Sequence, residues 1–144
     1  MEDAKQVITK LGLAPHPEGG WYRETWRSEA GEDGRARATA IHFLLERGQS
    51  SHWHRVDADE LWLWHAGAPI EVQVTGGHGV VTTRLGGDLL AGNALQCLVP
   101  AGQWQAATTC EGWALVSCVV TPGFDFAGFE LAPPDWSPRN NITE

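Results

Sequence analysis

His52, Trp53 and His54 are followed, six residues after His54, by Glu60 at the head of an apolar run. Histidines two apart lie on one face of a strand, because extended side chains alternate with a period of two. A polar turn around Asp57-Ala58-Asp59 comes next, and Glu60 opens a second strand. Paired as a hairpin, the two strands would bring two imidazoles and a carboxylate to one point. Such donors hold a divalent ion such as Fe, Mn, Ni or Zn, and donor type alone does not choose among these. The same groups could instead satisfy one another as a hydrogen-bonded cluster in a pocket without metal.

A second concentration of chemistry runs from Glu18 through Gly19-Gly20-Trp21-Tyr22-Arg23 to Glu24. As structure, it is an arm with glycines for left-handed backbone and aromatics for packing. As function, it is a pocket rim, with Arg23 pairing an anionic ligand group and Glu18 or Glu24 as an acid–base candidate. Tyr22, the single tyrosine, is a candidate acid opposite a base at His54 or Glu60. Asp125, between Phe124 and Phe126, either reaches the pocket or ties down its own segment. The chain has eight tryptophans; most belong to core packing, and Trp21, Trp62 and Trp104 are the candidates to line a ligand cavity. His65, at odd spacing from Glu60, faces the other way and is structural or interfacial. His42 is a core or pocket histidine, and His16 and His78 are loop residues.

These residues need elements to carry them. Ala4, Val7, Ile8 and Leu11 share one helical face, and Gly12 ends that helix. The prolines and double glycine of 13–20 exclude helix. After that the chain alternates in short runs separated by glycine turns: 21–28, 37–46, 52–55, 60–65, 70–75, 80–85, 95–99, 103–109 and 113–120, with 124–131 as a last strand or ordered arm. Gly76-Gly77-His78-Gly79 marks a hairpin. No second helical pattern appears, so βαβ architecture is excluded and an all-β sandwich or barrel remains.

At 144 residues the chain suits one domain: a helix within 1–12, a barrel over 13–131 and a loose tail over 132–144. A net charge of −8 with no basic block argues against nucleic acid and anionic membrane surfaces as partners. No apolar run is long enough to span a bilayer, and no signal region follows the start, so a cytoplasmic protein is expected. Cys97, Cys110 and Cys118 have no metal-like spacing and read as buried thiols. Without a secretion signal the sequon Asn141-Ile142-Thr143 carries no weight.

Two motifs resemble those of the cupins. The first is Gly48…His52-Trp53-His54…Glu60…Gly67; the second is Gly92…Pro100-Ala101-Gly102-Gln103-Trp104-Gln105. The interval from His54 to Glu60 is one residue longer than the usual cupin spacing, and Gln105 stands where the last histidine is expected. The resemblance narrows to the "cupin 5" group of unknown function through Pro15-His16-Pro17-Glu18-Gly19-Gly20-Trp21-Tyr22-Arg23-Glu24-Thr25, Asp59-Glu60-Leu61-Trp62, and Pro122-Gly123-Phe124-Asp125-Phe126. It implies a double-stranded β-helix, the cupin jelly-roll barrel, with a pocket inside and a homodimeric assembly. It also implies a metal set of His52, His54, Glu60 and Gln105, in which His54 and Glu60 are the more typical members.

Three functions compete. The first is a metal-dependent enzyme whose ion acts as Lewis acid or oxygen activator. The second is a metal-free sugar-type epimerase or isomerase, similar to the sugar-nucleotide epimerases that share the jelly roll, using His54 or Glu60 with Tyr22. The third is a non-catalytic protein that binds a small molecule.

Overall fold

The computed structural model describes residues 3–138. The sequon and the last part of the expected tail, 139–144, lie outside them. Helix α1 (Ala4–Leu11) is closed by a capping box, in which the Asp3 side chain accepts from the Gln6 backbone N–H and the Gln6 side chain accepts from that of Asp3. It ends at Gly12 as expected. The predicted face is the one that packs: Val7, Ala4, Ile8 and Leu11 meet Leu13, Leu44, Trp21, Trp113 and Leu115 on the outside of a sheet.

Eleven strands follow among the described residues: β1 (Ala14–Pro15), β2 (Trp21–Arg27), β3 (Thr39–Leu45), β4 (Ser50–Val56), β5 (Asp59–Gly67), β6 (Ile70–Thr75), β7 (Val81–Leu85), β8 (Gln96–Val99), β9 (Trp104–Thr108), β10 (Ala114–Thr121) and β11 (Phe129–Leu131). They form a six-stranded sheet, β1-β2-β3-β10-β5-β8, and a five-stranded sheet, β11-β4-β9-β6-β7. Every pairing between named strands is antiparallel. The predicted hairpin is β6–β7, with Val74 opposite Val81.

The hairpin expected between the His52 and Glu60 strands does not form. The corner after Val56 carries the chain from one sheet to the other, so β4 and β5 face each other across the interior. Inward side chains of β10 show how that space is divided. Ala114 and Val116 pack with Phe43, Leu45, Trp62, Ile70 and Val72 in a filled core, whereas Val120 lines a cavity; Cys118 belongs to both. One end of the barrel is solid and the other is hollow.

The tail is not loose over its described part. Ala132 is buried and its N–H donates to the Trp53 carbonyl at 3.0 Å. Trp136 packs on Trp104, with ring centroids 4.7 Å apart, and on Trp53. Of the cysteines, only Cys118 is fully buried; Cys110 is exposed, because it lies in the turn before β10 rather than in a strand.

Candidate functional site

The turn from His16 to Gly20 places the first functional side chain. The His16 N–H donates to the Gly20 carbonyl at 2.9 Å, and the Glu18 carbonyl accepts from the His52 N–H at 2.8 Å. Gly19 and Gly20 have φ of 108° and 85°. A Cβ on Gly19 would strike the Ser50 carbonyl, and one on Gly20 would come within 2.9 Å of Phe43, Leu45 and the Leu44 carbonyl. Only glycine allows both the backbone and the approach. The result is that Glu18 points into the barrel, its side chain 7 % exposed.

Strand β4 supplies the next groups and departs from simple alternation. Its pairing with β9 slips between Ser51 and His54, one extra residue forming a bulge. Ser51, His54 and Val56 are buried. His52 is turned outward, where its Nε2 donates to the Pro133 carbonyl at 2.8 Å. The expectation that His52 and His54 share a face therefore fails, because the bulge shifts the phase between them.

On the floor of the cavity the hydrogen bonds are directional. His54 Nδ1 donates to the His52 carbonyl at 2.7 Å, which can only accept. That leaves Nε2 to face Glu18 Oε2 at 3.1 Å, so a single proton lies between them. Burial pushes Glu18 up to about 8, with the Ser51 hydroxyl, donating to Oε1 at 2.8 Å, pulling the other way. Burial also lowers His54. Both shifts favour the uncharged pair, an acid donating to a neutral imidazole.

Glu60 enters from the opposite sheet. Gln105 Nε2 donates to its Oε1 at 2.9 Å, and Trp62 Nε1 donates to Gln105 Oε1 at 2.8 Å. Burial raises the Glu60 pKa, His54 opposes this, and Glu18 adds to it. Burial holds the Cys118 thiol, which is hydrogen-bonded to Glu60, well above its usual range.

His16, expected as a loop residue, completes the floor. Its Nδ1 accepts from the Glu18 N–H at 3.1 Å, which places the ring proton on Nε2. Burial, with His54 adding to it, lowers its pKa to about 4. Its ring packs edge-on against Tyr22 and Phe43. The signal available was its place two residues before Glu18, in a segment too rich in proline and glycine to be an ordinary strand.

The cavity measures about 510 Å³, within the range of small-molecule sites. Glu18, His54, Glu60, His16, Tyr22 and Glu24 line it. Asp125 reaches it too, while its side chain accepts from the Ala127 N–H at 3.0 Å. The other expected ligand contacts lie elsewhere. Arg23 points away, opposite His42 on the outer sheet face, and its NH1 reaches the Leu11 carbonyl. A bulge in β2 at Thr25 brings Arg27 to the cavity and leaves Trp26 exposed. Trp21 donates to Glu46 and packs under α1. Trp62 lies behind Gln105 in the core, and Trp104 stacks outside with Trp136 and Arg55. None of the eight tryptophans lines the cavity; its aromatic wall is Tyr22, Phe124, Phe126 and Phe129. His42 faces outward beside His65, which bonds Ser117 at 2.6 Å.

The expected four-donor metal set does not converge. His52 is turned away and Gln105 is held between Trp62 and Glu60. Among the described residues no group of three or more His, Cys, Asp or Glu side chains is arranged to hold an ion.

A family model described as "Cupin superfamily (DUF985)" matches residues 5–132. The chain belongs to this cupin family. A solved Shewanella oneidensis protein is 42% identical with a TM-score of 0.87, over 92% of this chain and 85% of that one. A hypothetical protein from Leishmania major is 34% identical with a TM-score of 0.82, over 91% and 88%. At 13% identity, Bacillus subtilis oxalate decarboxylase shares the fold alone, with a TM-score of 0.65 over 87% of this cupin and 31% of that enzyme. Mn(II) centers are named for that enzyme. No functionally curated protein matches the chain. Among the described residues, no helix is long and apolar enough to cross a membrane.

Proposed function

We propose that this cupin binds a small carbonyl compound in the barrel and moves a proton on it, as an isomerase or epimerase that needs no metal. The observation that carries this reading is the pair of buried carboxyl groups flanking His54, each oriented by its own donor. Glu60 is the base. The Gln105 amide and the Cys118 thiol stabilise its carboxylate, and burial raises its pKa, which makes it a stronger base than an exposed carboxylate. Glu60 takes a proton from the carbon beside the carbonyl, the C–H pair moves into the enol, and the proton shared by Glu18 and His54 goes to the carbonyl oxygen. In isomerisation Glu60 returns its proton to the former carbonyl carbon while the Glu18–His54 pair takes one back from the hydroxyl of the neighbouring carbon, which becomes the carbonyl. In epimerisation Tyr22 protonates the other face, the enol O–H gives its proton back to the Glu18–His54 pair, and Glu60 returns its proton to Tyr22 through solvent. Tyr22 is a second donor on the wall.

The test is solvent exchange. In D₂O, compounds that bind the protein should take up deuterium beside the carbonyl, read by proton NMR, and Glu60→Gln should abolish uptake. Tyr22→Phe should slow it. Bound compounds that never exchange would sink the proposal. Elemental analysis separates the metal-dependent reading: near-stoichiometric Fe, Mn, Ni or Zn, lost in Glu60→Ala, would replace the metal-free one.

We infer also that two copies associate through the outer face of the six-stranded sheet. Two cross-strand rows lie there: Trp26, Ala40, Val119, Leu61 and Leu98, then Arg23, His42, Ser117, Leu63 and Gln96. Neither row contains a carboxylate, in a chain with 18 acidic residues. Three free thiols suit a reducing compartment, and on that ground we place the chain in the cytoplasm.

A further inference from the structure

We infer that the cavity takes an uncharged compound bearing hydroxyl and carbonyl groups, and discriminates against phosphate esters, carboxylates and amines. The inference rests on the barrel cavity being the ligand site, as proposed above.

Each charged group on the cavity wall is already engaged by another group of the protein. The arginines lining it are Arg27 and Arg35. Arg35 Nε donates to the Gly123 carbonyl at 2.7 Å, while NH1 and NH2 grip both oxygens of Asp57 at 3.0 and 2.8 Å. Arg27 holds Glu24 through NH2 at 2.7 Å and Nε at 3.3 Å, and NH2 also reaches the Phe124 carbonyl. An entering anion would meet guanidinium charge already offset by a bound carboxylate. It would also come up against the carboxylates of Glu60 and Asp125 at short range.

The carboxyl groups are equally committed. Glu18 is bonded to Ser51 and faces His54, Glu60 is held by Gln105, Glu24 by Arg27, and Asp125 accepts from the Ala127 N–H. An ammonium group would have to compete with these donors for a carboxylate oxygen. What the wall leaves open is neutral: the Tyr22 hydroxyl, the Nε2–H of His16, and apolar surface from Ile41, Val56, Val120 and Phe129. A hydroxyl and an N–H over apolar faces match the carbonyl and hydroxyl groups of a neutral compound. Arg35 and Arg27 thus tie the segment 123–124 to the mouth rather than receive ligand charge.

The experiment uses a compound library in three equal parts: neutral hydroxycarbonyl compounds, anionic analogues (phosphates and carboxylates) and cationic analogues (amines). Binding is scored only where a compound shifts the ring resonances of Tyr22, the one tyrosine in the chain. Neutral members should bind, and their charged analogues should bind about tenfold or more weakly. Charged members binding as tightly as neutral ones, or no neutral member shifting Tyr22, would overturn the inference. A second variant guards the result. Glu24→Gln releases Arg27 and should tighten phosphate binding about tenfold; no gain counts against the charge argument. Neutral binding without deuterium uptake would end the proton-transfer proposal and leave this inference standing.

Discussion

Glu18 ties the stability of the fold to pH. Its pKa rises from an ordinary 4.5 to about 8 in the folded chain, so between those values the folded state holds a proton that the unfolded state has released. Stability therefore falls as pH rises through that window. His16 acts oppositely: lowered from 6.5 to about 4, it makes stability rise with pH over its own window. The two offset each other up to pH 6.5, and above it Glu18 acts unopposed by His16. From pH 6.5 to 8 the Glu18 contribution falls by about 2 kcal/mol. Denaturant titrations should show that fall in the wild type and a flatter limb in Glu18→Gln; an unchanged limb would refute the assignment. Gln105→Ala should lower stability by about 1–3 kcal/mol for each partner left unpaired, here the Trp62 N–H and a Glu60 oxygen. A melting temperature within a degree or so of wild type would show that water replaces the amide. His54, Glu60 and Glu18 were legible as chemistry because histidines and carboxylates near motif positions have few other reasons to be there. Gln105 was legible as a site residue, but its orientation toward Glu60 was not, since nothing in sequence links it to Trp62. Arg23 was placed at the pocket rim with Tyr22 and Glu24, although strand alternation puts it on the opposite face from both; Arg27 reaches the cavity because the extra residue at Thr25 changes the phase after it.

At the scale of elements, strand positions and the 70–85 hairpin follow from period and glycine turns, and so does α1. Sheet membership does not, because a short turn such as Asp57-Ala58 can close a hairpin or cross to the other sheet. That ambiguity put β4 and β5 in one hairpin when they oppose each other. The convergence of His54 and Glu60 survived, since facing sheets bring their inward residues together as a hairpin would. His52 did not survive, because a bulge changes phase without any composition signal. The turn before β2 is the element on which the floor depends. Gly20→Ala forces a side chain into left-handed backbone and against Phe43, Leu45 and the Leu44 carbonyl. It should cost about 1–3 kcal/mol or more, and it should also broaden the Tyr22 ring signals as the Glu18 turn loosens. Gly112→Ala is the control: its Cβ would meet only Ala68, at 3.4 Å, so the change should stay within about 0.5 kcal/mol. Equal losses in the two variants would remove the argument for the turn.

The whole molecule carries a net charge of −8, so two copies repel at distance and association needs a face on which that charge is absent. The outer rows from Trp26 to Leu98 and from Arg23 to Gln96 provide one, with Trp26 and Leu98 more than half exposed. Helix α1 covers only the neighbouring part of that sheet, over Leu44 and Leu115. A self-complementary apolar stripe suits a two-fold contact, in which the same patch serves both copies. Salt then acts in a definite direction. Raising ionic strength from about 0.01 M to 0.15 M shortens the screening length from about 30 to about 8 Å, weakening long-range repulsion while leaving apolar burial intact. The dimer should therefore tighten with added salt in sedimentation equilibrium, whereas an interface held by ion pairs would loosen. Leu61→Glu or Val119→Glu places a carboxylate in the middle of the stripe on both copies at once. Either variant should be monomeric at concentrations where the wild type is dimeric, with an unchanged far-ultraviolet circular dichroism spectrum to show that the sheet still forms. A folded variant that remains dimeric would move the interface elsewhere, and a wild type that is monomeric at every salt concentration would end the proposal.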